Sequence, residues 1–330
     1  MTTTNFATAA DLVHDRLARY VNDVGWPGPL PTELVAVARA PFGHPLDVRR
    51  YLVNSLNPGG FPLEVSFAEA EPSALRLDVQ PFDLSPADGA ATALQLAGVQ
   101  AAEVAQWRSV IRPRHFGGFV GVAASIGRSV MKAYLELDRD AATDELTHPV
   151  RRHAQRLAGY IPWLRPHLVA LGDPAGARLY FEAEAGVALL DLFDWAPTAA
   201  MMAQVPAVID AARQLTGGSL VLPPRSALLS LRPVAGDPDG VELKVELTRQ
   251  ALVADAADVV ERLLIDRPVA QAMFRCWRAA LSPVSELSVV SLRIAPGQAG
   301  PGINAYGGLI DDGVFSVGNM TSYRLSAVVG

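Results

Sequence analysis

Between Gly59 and Asp83 the sequence GGFPLEVSFAEAEPSALRLDVQPFD alternates twice between apolar and polar residues. Phe61, Leu63, Val65 and Phe67 share one side, with Glu64 and Ser66 on the other. After the polar break Glu69-Ala70-Glu71-Pro72-Ser73, Leu75, Leu77 and Val79 alternate with Arg76, Asp78 and Gln80. A period of two is strand spacing, so the stretch predicts a hairpin with one apolar and one polar face.

Four more pairs follow. FVGVAA and SVMKAYLEL meet at Ser125-Ile126-Gly127-Arg128 and put Lys132, Tyr134 and Glu136 on one face. HLVALGDPAGARLYFEAE turns at Gly172-Asp173-Pro174-Ala175-Gly176 and aligns Arg178, Tyr180, Glu182 and Glu184. SALLSLRPVAGDPDGVELKVELT turns at Gly236-Asp237-Pro238-Asp239-Gly240, with Ser230 and Arg232 on one strand and Glu242, Lys244 and Glu246 on the next. LSVVSLRIAPGQAGPGINAYGGLI turns around Pro296 to Gly302 and carries Ser291, Arg293, Asn304 and Tyr306. GVFSVGN and SYRLSAVV are expected to extend or cover this sheet.

Helical periodicity fills the gaps, over residues 8–22, 31–41, 86–110, 147–163, 187–216 (interrupted at Pro197 and Pro206) and 254–281. Thr32 or Asp11 is expected as a cap and Pro31 or Pro41 as a stop. The hairpins recur every 45–65 residues or about that, an internal repeat of architecture without repeat of sequence. No linker or low-complexity segment breaks the chain, so 1–330 reads as a single domain.

The fold class is α+β. Helices must cover the apolar faces, and the polar faces look either to water or into a lumen. Closing ten antiparallel strands into a barrel removes two vulnerable edges. The polar face bears Arg76, Lys132, Arg178, Arg232, Lys244 and Arg293, with Arg324 as a further candidate. Two readings stay open. One is a solvated face of ordinary ion pairs, with Arg76 on Asp78 and Lys132 on Glu136. The other is an anion-binding lumen suited to a di- or triphosphate.

Composition narrows the classes. The formal net charge is -6 and there is no basic run, which argues against nucleic acid. Hydrophobic residues make up 50% and charged residues 19%, enough for a core and unlike a disordered chain. No apolar run reaches the ~20 residues of a membrane span, and the first residues lack a signal-peptide pattern, so a cytoplasmic protein is expected. Cys276, the one cysteine, lies in the helical segment FRCWRAAL and reads as a buried small hydrophobe. His148 and His153 are poorly spaced for a shared helix face, and no Cys/His metal pattern exists. Gly117-Gly118 and Gly217-Gly218 lack the surroundings of a phosphate loop. Trp107, Trp163, Trp195 and Trp277 are expected between helices and sheet.

The repeated helix–hairpin–helix unit resembles the ABBA aromatic prenyltransferases, and the first hairpin resembles their dimethylallyltryptophan-synthase branch, bacterial type. Gly60-Phe61-Pro62-Leu63-Glu64-Val65-Ser66 is similar to that branch's G-x-P-x-E-x-S strand, Leu75-Arg76-Leu77 to its arginine strand and Lys132-Ala133-Tyr134 to its K-x-Y strand. Arg178-Leu179-Tyr180 and Lys244-Val245-Glu246 fall on comparable later strands, the last with Glu246 where a tyrosine is usual. The likeness of architecture spans nearly the whole chain, whereas the motifs cover about four short strands.

This resemblance implies αββα repeats closing into a PT barrel: a ten-stranded antiparallel β-barrel with a polar lumen, surrounded by helices. It implies transfer of a prenyl group, dimethylallyl above all, from an allylic diphosphate to an electron-rich aromatic small molecule or peptide, an indole or tryptophan derivative. Glu64 would be the catalytic base; Arg76, Lys132, Arg178, Lys244 and Arg293 would bind diphosphate; Tyr134, Tyr180 and Tyr306 would shield the cation. No cofactor is required. Asp78 resembles the magnesium-binding aspartate of the phenol and phenazine branch, which leaves Mg2+ possible. Asp311-Asp312 lacks the spacing of a DDxxD motif. A non-catalytic ligand-binding barrel and another allylic-diphosphate enzyme on the same scaffold, such as a cyclase or a phenol or phenazine prenyltransferase, are the alternatives.

Overall fold

A computed structural model describes residues 8–42, 54–56, 61–81, 84–142, 145–146, 150–234, 236–237, 240–281, 287–296 and 300–309. Gly59, Gly60, Asp83, His148, Asp311, Asp312, Arg324 and the two C-terminal segments lie outside them.

Ten strands close into one antiparallel barrel. They are β1 (Leu63–Ala68), β2 (Leu75–Val79), β3 (Gly118–Ser125), β4 (Arg128–Glu136), β5 (Leu164–Leu171), β6 (Arg178–Ala183), β9 (Ala227–Pro233), β10 (Val241–Thr248), β11 (Leu287–Ile294) and β12 (Gly302–Gly308). Around the wall the order is β1-β12-β11-β10-β9-β6-β5-β4-β3-β2, and β1 pairing with β12 closes the ring. The five hairpins match the periodicity strand for strand. A further small ladder, β7 (Val187–Ala188) with β8 (Val221–Leu222), stands where residues 187–216 were expected to start as helix.

The apolar positions face outward. Leu63, Val65, Leu77, Val79, Leu243, Val245 and Leu292 are buried under a helical layer. That layer comprises α1 (Ala9–Asp23), α2 (Thr32–Arg39), α3 (Pro86–Ala97), α4 (Ala101–Trp107), α5 (Val150–Tyr160), α6 (Asp191–Trp195), α7 (Ala199–Met202), α8 (Val205–Leu215), α9 (Ala256–Leu263) and α10 (Pro268–Ala280). Trp107, Trp195 and Trp277 are buried in it, and Trp163 packs against it half-buried.

Several helix expectations are corrected. Residues 86–110 form two helices because Gly98 adopts φ 63° and ends α3. Residues 254–281 also divide, since Pro268 starts α10 afresh. Thr8 caps α1, with Asp11 completing a capping box at the third helical position. Pro31 precedes α2 and thus opens it, so neither Thr32 as a cap nor Pro31 as a stop holds. Pro206 sits in the first turn of α8, where its missing N–H costs nothing. Cys276 is exposed, not buried, because it lies on the outer side of α10, away from Phe274 and Trp277.

The inner face settles the choice left by the sequence. Glu64, Ser66, Asp78, Arg178, Ser230, Glu242, Glu246 and Ser291 are all buried although they belong to the polar face. A solvated sheet would leave them open to water. The face therefore lines a lumen. Among the described residues no helix is long and apolar enough to cross a membrane.

Candidate active site

Strand pairing carries the inner residues around the wall. Glu64 stands opposite Asp78, Asp78 opposite Gly121, and Gly121 opposite Lys132. Tyr180 stands opposite Ser230, Ser230 opposite Lys244, and Lys244 opposite Arg293. Glu246 faces Ser291, Ser291 faces Asn304, and Tyr306 faces Ser66. Every sequence-predicted site residue thus lies on the lumen face.

The cations form a connected group. Glu242 bonds Arg178 and, at 2.7 Å, Arg232, with Arg293 4.0 Å away. Asp173, on the β5–β6 turn, lies 3.1 Å from Arg232 and 2.5 Å from Lys132. Two carboxylates therefore tie four cations together. Burial alone would raise Glu242, but Arg178, Arg232 and Lys244 pull it down to about 2. Lys244 donates to the Asn304 side-chain oxygen at 3.3 Å once that amide is turned to face it. Burial and the adjacent Arg178 charge push Lys244 down to about 7. Lys132 is also held below its ordinary value by burial, with Asp173 opposing. Such a group attracts an anion.

The expected ion pairs are different ones. Arg76 bonds Glu71 at 2.6 Å, not Asp78, and its Nε meets no acceptor among the described residues. Lys132 pairs with Asp173, not Glu136. The Glu136 carboxylate instead accepts the backbone N–H groups of Arg114, His115, Phe116 and Gly117 at 2.9–3.1 Å. It anchors the loop that delivers Phe116.

Next to the cations lies an aromatic sector. Tyr134 stacks on Phe119 with centroids 4.4 Å apart, and Tyr180 tilts toward Tyr134 at 6.1 Å. Phe116 joins them, and with Leu168 and Ala170 they form an apolar cluster separate from the main core. Gly121 makes room for it. A Cβ there would come within 2.5 Å of Asp78 Oδ1 and 2.9 Å of Tyr134 Cε2.

Glu64, only 3% exposed, has an Oε1 with no hydrogen-bond partner among the described residues. Burial, with Asp78 adding repulsion, pushes its pKa up to about 8, while Arg249 works the other way. Burial likewise raises Asp78 to about 7, against the pull of Lys132 and Arg76. Burial raises Glu246 against Lys244 and Arg178. Tyr134, Tyr180 and Tyr306 are shifted upward by burial, so all three stay neutral. No group of three or more His, Cys, Asp or Glu suited to a metal ion occurs among the described residues.

Sequence reasoning missed Asp173, which looked like turn chemistry, and Glu242, whose partners come from strands far apart in the chain. It missed Gly121 and Phe119 too. The alternation of Phe119, Gly121 and Ala123 was the signal for both.

No family model and no curated protein matches the sequence. Solved structures do. A 6-dimethylallyl tryptophan synthase superposes with TM-score 0.72 at 18% identity, over 93% of this chain and 97% of that one. A 6-dimethylallyltryptophan synthase from Micromonospora olivasterospora, solved with DMASPP and Trp, gives 0.68 at 18%, over 91% and 97%. The prenyltransferase PriB, solved with L-tryptophan and dimethylallyl thiolodiphosphate, gives 0.69 at 17%, over 93% and 97%. The chain is thus built on the same fold as these prenyltransferases, the PT barrel of ten antiparallel strands with helices outside.

Proposed function

We propose that the protein is an aromatic prenyltransferase that moves a dimethylallyl group from its diphosphate to the ring of an indole, with the whole chain acting as one domain. One observation carries the reading: a band of cations beside a band of tyrosines on the same strands. Lys132 precedes Tyr134 and Arg178 precedes Tyr180 by two residues, a rise of about 7 Å along the wall. The structures that share the fold support it, since two of them were solved with tryptophan and a dimethylallyl donor analogue.

The allylic C–O bond breaks and its electron pair leaves with the diphosphate. Arg76, Lys132, Arg178, Lys244 and Arg293 take up that charge, and preorganised cations in a sheltered site stabilise it more than water does. The allyl cation lies against Tyr134, Tyr180 and Tyr306, whose faces attract it and keep water away. The ring attacks and a carbon–carbon bond forms. Glu64, once ionised, accepts the indole N–H as the nitrogen becomes positive. Loss of the proton from the alkylated carbon to solvent, with the Glu64 carboxyl returning its proton to the nitrogen, restores the aromatic ring. The reading needs no cofactor, because the lumen cations supply the positive charge.

The test is incubation with dimethylallyl diphosphate and a panel of indoles and phenols, with chelator or with magnesium. A prenylated indole formed under chelator is the expected result. Diphosphate binding without any prenylated product would favour a ligand-binding barrel and overturn the assignment; activity only with magnesium would overturn the cofactor-free form of it.

A further inference from the structure

Strand β10 lines the lumen with three ionisable side chains, Glu242, Lys244 and Glu246, and only the first is bonded to a counter-charge. Lys244 stands between Ser230 on β9 and Arg293 on β11. Arg178 holds Ser230 at 3.3 Å, and the partner of Lys244 among the described residues is the neutral amide of Asn304 on β12. Arg178, Lys132 and Arg293 around it carry its own sign of charge, and its carboxylate neighbours are Glu242, which two arginines hold, and Glu246. Glu246 stands between Leu228 and Ser291 and is 7% exposed, and among the described residues no hydrogen bond or ion pair reaches its carboxylate. The Ser291 hydroxyl across the ladder is buried and has no partner there either. Tyr180, Tyr306 and the Asp78 carboxyl complete the surroundings of Glu246.

A sheltered acid and a sheltered amine that share a face without joining in an ion pair cost least when both are neutral. The shifts agree: burial and Arg178 bring Lys244 down to about 7, and burial raises Glu246 against Lys244 and Arg178. A polyanion on the cation group reverses the balance at Lys244, because an ammonium there then has a partner. The proton source two residues along the same face is Glu246. We infer that Glu246 and Lys244 are a proton-exchange pair set off by the donor: when a diphosphate fills the cation group, the Glu246 O–H bond breaks and its proton makes Lys244 an ammonium. No proton enters or leaves the protein. The Ser291 hydroxyl then donates to the new carboxylate, and a negative charge stands near Tyr180 and Tyr306 only while the donor is bound. Glu246 is thus a positioning residue that acts through Lys244. The inference rests on the prenyltransferase reading for the identity of the anion, and adds how the site acquires its charge.

Titration calorimetry with dimethylallyl thiolodiphosphate at about pH 8, in buffers of different ionisation enthalpy, counts the protons exchanged on binding. Glu246→Gln has no proton to give, so it should take up about one proton more than the wild type. Its affinity should fall by about tenfold per pH unit above about pH 7, where that of the wild type stays level. Lys244→Met, which removes the acceptor, should show neither effect. Difference infrared spectra follow the acid itself: binding should erase a protonated-carboxyl band in the wild type, and Glu246→Gln should not show that loss. A wild-type spectrum left unchanged by bound thiolodiphosphate would overturn the inference without recourse to any variant. A loss that persists in Glu246→Gln would do so as well. Turnover separates the two proposals. If an indole is prenylated but no carboxyl band is lost, the activity stands and the exchange pair fails. If the band is lost but no indole is turned over, the pair stands and the activity fails.

Discussion

Glu242 bonds Arg178 from across the barrel wall, and both side chains are 7% exposed. The same carboxylate holds Arg232 at 2.7 Å. In a buried pair, removing one partner strands the other's charge, at about 3–5 kcal/mol. Glu242→Gln should therefore lower the melting temperature in plain buffer. Inorganic diphosphate should restore it, because the anion replaces the missing charge and binds only the folded state. Thermal melts with and without diphosphate give the answer. A loss of stability that diphosphate does not recover would mean that the cations do not form its site.

Asp173 performs a similar role from a turn at the end of β5, with different consequences. It neutralises Lys132 and Arg232, and its removal leaves the barrel wall intact. It competes with any incoming anion for those two cations. Asp173→Asn should thus tighten binding of dimethylallyl thiolodiphosphate by about tenfold with little change in stability. Titration calorimetry checks it. Weaker binding in the variant would show that Asp173 helps to organise the donor site.

The pH dependence follows from Glu64 and Asp78. Their folded pKa values, about 8 and about 7, exceed those of ordinary unfolded carboxyls. The folded state therefore holds more protons than the unfolded state between about pH 4.5 and 7, and stability falls as pH rises through that window. Lys244, depressed to about 7, acts with opposite sign only above pH 7. Glu64→Gln should flatten the decline. It should also abolish a rise in turnover with pH whose midpoint lies near pH 8, because the base is active only when ionised. Denaturant melts and rate profiles from pH 5 to 9 measure both. A wild-type turnover that is flat across this range would remove Glu64 as the base.

The barrel was legible because a period-two pattern repeated five times admits few alternatives, and the helices had their own spacing and caps. Phe61 to Phe67 and Leu75 to Val79 fell into place residue by residue. What the pattern did not carry was pairing in space. Lys132 on β4 meets Asp173 from the β5–β6 turn, and Arg178 meets Glu242 across 64 residues of sequence. Alternation says which face a side chain occupies. It does not say which opposite charge waits there: Glu136 shares a face with Lys132, yet its carboxylate is held by four backbone N–H groups. Helix breaks at Gly98 and Pro268 were local signals outweighed by apolar periodicity on both sides.

Gly121 offers the sharpest test of the aromatic sector. It lies on β3 under Tyr134 and beside Asp78, and even a methyl group there would overlap the Tyr134 ring edge at 2.9 Å and the Asp78 carboxylate at 2.5 Å. The strand backbone is fixed by pairing on both sides, so the ring must yield. Gly121→Ala should tilt Tyr134 off Phe119, at a stability cost of about 1–3 kcal/mol typical of overpacking. The larger effect should be on the fate of the cation. With the shield opened, water reaches the allyl group, and dimethylallyl alcohol should appear at the expense of prenylated indole. The ratio of alcohol to prenylated product, measured by chromatography against total diphosphate released, reports this directly. A variant that slows both products equally would show that Tyr134 positions the donor and does not guard it.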